Sequence, residues 1–235
     1  MRTQKTRKYL IVSLGTRIKM DLPQLHLPDF FKQYYTAKFT QLTPIQEKAI
    51  HAGLLDNKSL LISAPTASGK TLIATMAIAH TLSKGKSLYL VPLKALASEK
   101  YKEYQNLFKN TTYKVAMATG DVDDDAPYLA KYDLLILTTE KLDALLRHQV
   151  TWIREVKTVI VDEIHLLNDP HRGPTLEIVL TLLKALIKPQ LIGLSATIGN
   201  PETLAAWLEA DLVQDTWRPV ELKKGILMGD KVKFY

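Results

Sequence analysis

Short apolar runs recur along the chain at 60–64, 87–91, 114–118, 133–138, 157–161 and 190–194, each too short for a stable helix and rich in aliphatic residues. Between several of them, at 71–83, 94–108, 141–148 and 176–187, apolar positions fall at helical spacing. Strands alternating with helices predict an α/β fold, a parallel sheet with helices on both faces. Ligands of such sheets sit beyond the carboxyl ends of the strands, so chemistry is expected in the loops after Ala64, Val91, Ala118, Thr138, Val161 and Leu194. After Arg218 the pattern changes, and PVELKKGILMGDKVKFY reads as one or two strands with a Gly-Asp turn leaving the domain.

The loop after the first run is APTASGKT. It departs from the phosphate-loop pattern G-x-x-x-x-G-K-[ST] at one place, with Ala64 for the first glycine, while Gly69, Lys70 and Thr71 stand where the pattern needs them. Gly69 permits close approach of the backbone, and the helix start offers free N–H groups to a phosphate. Lys70 adds charge near the β- and γ-phosphates, and the Thr71 hydroxyl can reach Mg²⁺. Ala64 fits if its backbone angles suit an L-residue. The expected ATP cradle is Ala64, Pro65, Thr66, Ala67, Ser68, Gly69, Lys70 and Thr71. A second stretch, KTVIVDEIH, is an apolar strand ending in adjacent carboxylates. Nucleotide hydrolysis needs one acid to hold hydrated Mg²⁺ and another group to orient the attacking water, roles assigned here to Asp162 and Glu163. Lys70, Asp162 and Glu163 are thus the expected catalytic residues, with ATP and Mg²⁺ as cofactors.

Charge changes this picture little. The net charge of +7 is concentrated in residues 1–19, where Arg2, Lys5, Arg7, Lys8, Arg17 and Lys19 face no acid. Beyond them 25 basic residues meet 24 acidic ones, so bulk charge is weak support for a polyanion partner. The absence of cysteine excludes disulfides, thiolate metal sites and cysteine nucleophiles and suits a reducing cytoplasm. The amino-terminal apolar run is short and lacks a small-residue cleavage site, and no stretch approaches the ~20 apolar residues of a membrane helix. A cytoplasmic location without membrane contact is expected. Asp123, Asp124 and Asp125 read as a solvated loop in preference to a metal site.

The segments LTPIQ, APTASGKT, DEIH and LSATIGN, in that order, resemble the motifs of superfamily 2 helicases with a DExH box. VPLKALASEKY, ATGDVDD, TTEKLDALLRH, DEIHLLND, RGPTLEIVL and WRPVELKKGI look like the archaeal fork-remodelling DNA helicases of the Ski-type branch, relatives of the eukaryotic HELQ and polymerase-theta helicase domains. The likeness covers residues 20–235. It implies a RecA-like P-loop NTPase domain, the first of a helicase motor, over 20–218. A basic extension at 1–19 would precede it, and a strand segment at 219–235 would lead out of it.

The resemblance also implies site residues. Gln46 would recognise adenine, although Thr43, Pro44 and Gln46 also spell a helix start with a capping box. His165, Ser195, Ala196 and Thr197 would couple the γ-phosphate to the nucleic-acid site. Pro92, Lys94, Thr119, Gly120, Thr138, Thr139 and Lys141 would grip a strand by its phosphates, without reading bases. Arg172 would join the nucleotide-side loops. Tyr34, Tyr35 and Phe39 could stack on adenine, with core packing the default.

Thirty-eight residues follow Thr197, against on the order of 150 for a second RecA-like domain. They contain one arginine, Arg218, so the arginine finger of the family's second domain is expected elsewhere. Such a finger contributes about 10³ to 10⁵ in rate. The expectation is the ATP-binding first motor domain of an ATP-dependent DNA helicase, translocating 3′ to 5′ when complete, acting in DNA repair or fork processing on single-stranded or forked DNA. Hydrolysis in isolation should be slow. The alternatives are a catalytically incomplete, nucleotide-responsive nucleic-acid-binding module, or an RNA helicase domain of the same branch, distinguished through the 2′-hydroxyl.

Overall fold

A computed structural model of the chain describes residues 21–120 and 126–220, and the backbone of 225–228 and 231–234. Seven strands form one sheet: β1 (Leu60–Ser63), β2 (Lys86–Val91), β3 (Val115–Ala118), β4 (Leu134–Thr138), β5 (Val156–Val161), β6 (Gln190–Ser195) and β7 (Asp211–Gln214). Their spatial order is β3-β4-β2-β5-β6-β1-β7, and every neighbouring pair is parallel. Two further strands, β8 (Gly225–Met228) and β9 (Lys231–Phe234), pair antiparallel in the segment expected to hold one or two strands, while the Gly-Asp turn expected at 229–230 lies outside the described residues. The aspartates at 123–125 and the basic residues at 1–19 lie outside the described residues.

Successive side chains of a strand point to opposite faces, and this divides the core in two. Leu60 and Ile62 of β1, with Tyr89 and Val91 of β2, pack on the face covered by α1 (Asp29–Thr36), α2 (Pro44–His51), α3 (Lys70–Thr81) and α4 (Lys94–Phe108). Leu61, Leu88 and Leu90 face α5 (Thr139–Arg147), α6 (Gly173–Leu186) and α7 (Pro201–Leu208). Both faces are apolar, which is why the strands read as unbroken apolar runs instead of alternating ones.

Some elements begin where apolar spacing does not show them. α6 starts three residues before 176 because Pro174 suits a first helical turn, its missing N–H being one that would go unpaired anyway. Gly173 is required there by close packing, since an added Cβ would strike the Leu167 carbonyl. β7, an edge strand with Asp211 and Gln214 exposed, is too short and polar to register as an apolar run. α3 is buried almost all round, with residues 72–79 all shielded between the sheet and its neighbours.

The amino-terminal edge of the sheet, opposite the ligand edge, is tied by a buried polar chain. Gln190 donates from Nε2 to the carbonyls of Leu54, at 2.8 Å, and Lys58, at 3.0 Å, while its Oε1 accepts from the Thr158 hydroxyl at 3.0 Å. Because the Thr158 proton is committed there, the Thr81 hydroxyl must be the donor in the 2.6 Å contact between the two threonines. The chain thereby anchors α3, β5, β6 and the turn before β1 to one another. Gln190→Leu would strand two carbonyls and a hydroxyl away from water, and a loss of about 3 kcal/mol in unfolding free energy is expected from urea denaturation.

Candidate active site

The carboxyl ends of all seven strands lie on one edge, and strand order decides which loops meet there. β1, β6 and β5 are adjacent, so the loop 64–69, the segment from Ser195 and the pair Asp162 and Glu163 converge. β2, β4 and β3 occupy the other half and bring Pro92, Thr138 and Thr119 together in the same order.

Ala64 is buried, donates its N–H to the Ser195 carbonyl at 3.2 Å, and has no left-handed backbone angle. It continues the strand ladder, a conformation any L-residue adopts, so the missing first glycine costs the backbone nothing. The strain falls elsewhere in the loop, on Ala67 at φ 66° and Gly69 at φ 97°. A left-handed non-glycine residue costs on the order of 1–3 kcal/mol and persists only where its surroundings enforce it. Here Thr43 and Gln46 do so. The Thr43 hydroxyl donates to the Ser68 carbonyl and Gln46 Nε2 donates to the Gly69 carbonyl, both at 2.9 Å. Gln46 Oε1 accepts from the Thr43 N–H at 2.9 Å, the return bond of a capping box. Gln46, 4% exposed, therefore joins α2 to the phosphate loop through both ends of its amide. Sequence reasoning found its capping geometry but not this bridge, because no local spacing relates position 46 to 69.

Lys70 Nζ donates to the carbonyls of Ala64, at 2.6 Å, and Pro65, at 2.9 Å, which folds the ammonium over the loop. Burial lowers its pKa, opposed by the nearby charges of Glu163 and Asp162. Thr71 opens the helix beside it, half-buried. Ser68 Oγ is buried with no partner among the described residues. An orphaned hydroxyl and the free N–H groups of a helix start, around a positively charged amine, are the donor set a polyphosphate requires, and the loop fits one.

Asp162 stands two residues past Ile160, on the face covered by α3. Its Oδ1 accepts from the Glu163 N–H at 3.1 Å and its Oδ2 from the Tyr89 hydroxyl at 3.0 Å. Glu163 adopts φ 52° and its carbonyl starts the 3₁₀ turn at Ile164–Asn168. His165 Nδ1 lies 3.3 Å from Glu163 Oε2 and 3.4 Å from Ser195 Oγ, so three of the expected coupling and catalytic residues do meet. Ala196 accepts from the Ser63 hydroxyl at 3.5 Å, and Thr197 is exposed. Asp169 gathers the N–H groups of His171 and Arg172 and the Arg172 guanidinium, and these donors lower its pKa. Arg172 also lines a small cleft with Pro92, Thr139, Glu140 and Asp162.

The other half of the edge differs from expectation in one respect. Lys94 is exposed beside Gly120, which adopts φ 101°, and Pro92 and Thr119 are half-buried. Lys141, expected to add surface charge, is only 3% exposed. Its position in the first turns of α5 turns it toward the protein, because positions 139, 141, 142, 144, 145 and 146 all pack inward. Thr138 and Thr139 are buried as well, with Thr138 Oγ1 unpartnered among the described residues. Tyr35 packs in the core against Phe31, as the default reading had it, whereas Phe39 is 36% exposed. No group of three or more metal-ligating side chains occurs among the described residues. No helix among them is long and apolar enough to cross a membrane.

Residues 43–204 match the DEAD/DEAH box helicase family. The chain is 54% identical over 202 residues to the ATP-dependent DNA helicase Hel308 of Methanocaldococcus jannaschii, an alignment covering 83% of this chain and 17% of that protein. It is 49% identical over 210 residues to Hel308 of Pyrococcus abyssi, covering 88% and 29%. The chain thus spans less than a third of the length of these relatives. Among solved structures, the DUF1998 helicase MrfA bound to DNA superposes with a TM-score of 0.71 at 24% identity, over 84% of this chain and 31% of that one. This likeness fixes the fold as the RecA-like type. With the matched region running from the Thr43 turn into the first half of α7 and taking in every loop of the site, the chain belongs to the DEAD/DEAH box helicase family.

Proposed function

We propose that residues 20–218 are the ATP-binding first motor domain of an ATP-dependent DNA helicase, working in the cytoplasm in DNA repair or fork processing. The observation that carries this reading is the convergence of a phosphate-type loop with a carboxylate pair that is linked through His165 to Ser195. Gly69, Lys70 and Thr71 take the phosphates, and Thr71 and Asp162 are the groups suited to hold Mg²⁺, which supplies charge neutralisation at the phosphates when bound. Lys70 exchanges two loop carbonyls for phosphate oxygens. Glu163, beyond Asp162 on a strained turn, orients the attacking water. Gln46 is the candidate adenine contact, a role in which its amide would exchange the Thr43 or the Gly69 bond for the base. Displacement at Glu163 passes to Ser195 through His165.

Pro92, Lys94, Thr119 and Gly120 form the strand-binding half of the edge, with Thr138 and Thr139 contributing backbone groups. A role for Lys141 would require its side chain to leave the core. DNA is favoured over RNA by the relatives, named as DNA helicases, and by the DNA-bound neighbour of like fold. A second RecA-like domain supplied from outside residues 1–235 would complete the motor, in keeping with the small share of each relative that the chain spans.

Two measurements test this reading. Binding of a fluorescent ATP analogue with Mg²⁺ should weaken at least about tenfold in Lys70→Ala, whereas Glu163→Gln should bind like the wild-type chain and lose residual turnover. Single-stranded DNA should bind more weakly after Lys94→Ala at low salt, with a shallower salt dependence by about one phosphate contact. Equal binding of nucleotide by Lys70→Ala would remove the phosphate-loop assignment.

A further inference from the structure

A buried phenol stands behind the acidic pair. Tyr89 lies on β2 with no solvent exposure, in register with Ile160 of the neighbouring β5, and its hydroxyl is 3.0 Å from Asp162 Oδ2. A phenol keeps its proton at neutral pH, so the Tyr89 hydroxyl donates and the Asp162 carboxylate accepts. Asp162 Oδ1 is held separately by the Glu163 N–H. Two donors on two oxygens prevent rotation about the terminal side-chain bond and leave a lone pair on each oxygen directed elsewhere.

The ring that carries this hydroxyl is fixed in turn. It packs edge-on against Tyr104 of α4, with centroids 6.0 Å apart and planes at 60°. The Tyr104 hydroxyl meets Thr75 Oγ1 at 3.1 Å, and Thr75 Oγ1 also reaches the Thr71 carbonyl at 3.0 Å, in the first turn of α3. The Asp162 carboxylate directly, and the Thr71 carbonyl through Thr75, are thus tied to one edge-packed pair of buried tyrosines. A filler residue would not need the hydroxyl, since phenylalanine gives the same ring without a polar atom to bury.

We propose that Tyr89 is a positioning residue for the metal–nucleotide site, holding the Asp162 carboxylate in the orientation from which it receives hydrated Mg²⁺. This rests on the nucleotide reading given above. Hydrogen-bond partners of metal-binding carboxylates typically change metal affinity about 10- to 100-fold when removed.

The test is an Mg²⁺ titration of fluorescent ADP-analogue binding to the 235-residue chain. Tyr89→Phe should raise the Mg²⁺ midpoint about tenfold and leave metal-free nucleotide affinity unchanged. Mn²⁺ affinity of the nucleotide complex, read by electron paramagnetic resonance, should fall in parallel. Thr158→Val removes a buried hydroxyl at the far edge of the sheet and should leave the midpoint within about twofold of wild type, which separates the effect from a general loss of stability. In an Asp162→Asn background, Tyr89→Phe should add less than about a further twofold, because the two act as one unit. An unchanged midpoint in folded Tyr89→Phe would overturn the assignment, as would an undiminished effect in the Asp162→Asn background. Wild-type chain that binds no nucleotide with or without Mg²⁺ would overturn the nucleotide reading together with it.

Discussion

A sheet whose strands all run one way delivers every carboxyl end to a single edge, and the remaining features of this protein depend on that constraint. Neither the phosphate-type loop nor the carboxylate pair is a site alone. They become one because β5, β6 and β1 are neighbours, which sets loops from residues 64, 162 and 195 side by side. The same rule places the loops after β2, β4 and β3 in a second group beside the first, with β2 one strand spacing of about 4.8 Å from β5. His165 and Ser195 meet in the half built on β1, β5 and β6.

Order at this edge is maintained against local strain. Ala67 and Glu163 both hold left-handed backbone angles that an L-residue disfavours. Each is surrounded by fixed partners. Thr43 and Gln46 clamp the carbonyls on the far side of Ala67, and the Glu163 N–H is held by Asp162. Strain kept in place by a rigid surround defines the direction of a backbone group or carboxylate more closely than a relaxed loop would. The departure from the glycine pattern at Ala64 fits this account, because position 64 is ladder-bonded and strand-like while the unusual angles lie at 67 and 69.

The far edge serves a different purpose. The Gln190 chain spends its donors inside the protein, and it satisfies carbonyls that would otherwise lose their partners where the chain enters β1. The molecule thus separates a polar network that fixes the fold from one that presents chemistry, with the apolar middle of the sheet between them. The TM-score of 0.71 at 24% identity with a DNA-bound helicase shows that the fold itself is shared at low sequence identity.

Much of this was legible in the residues. Apolar runs and helical spacings located six of the seven sheet strands and four helices, since both depend on side chains two to four positions apart. The loop APTASGKT and the pair Asp162 and Glu163 were legible for the same reason, each being a local pattern at a strand end. Tertiary structure alone decided the strand order, the bridge from Gln46 to Gly69, the contact of Tyr89 with Asp162 and the burial of Lys141. Tyr89 and Asp162 are 73 residues apart, and only the parallel register of β2 beside β5 brings them within hydrogen-bond reach. Periodicity along a chain fixes which face a side chain occupies, whereas the neighbour across that face is set by how the strands are ordered.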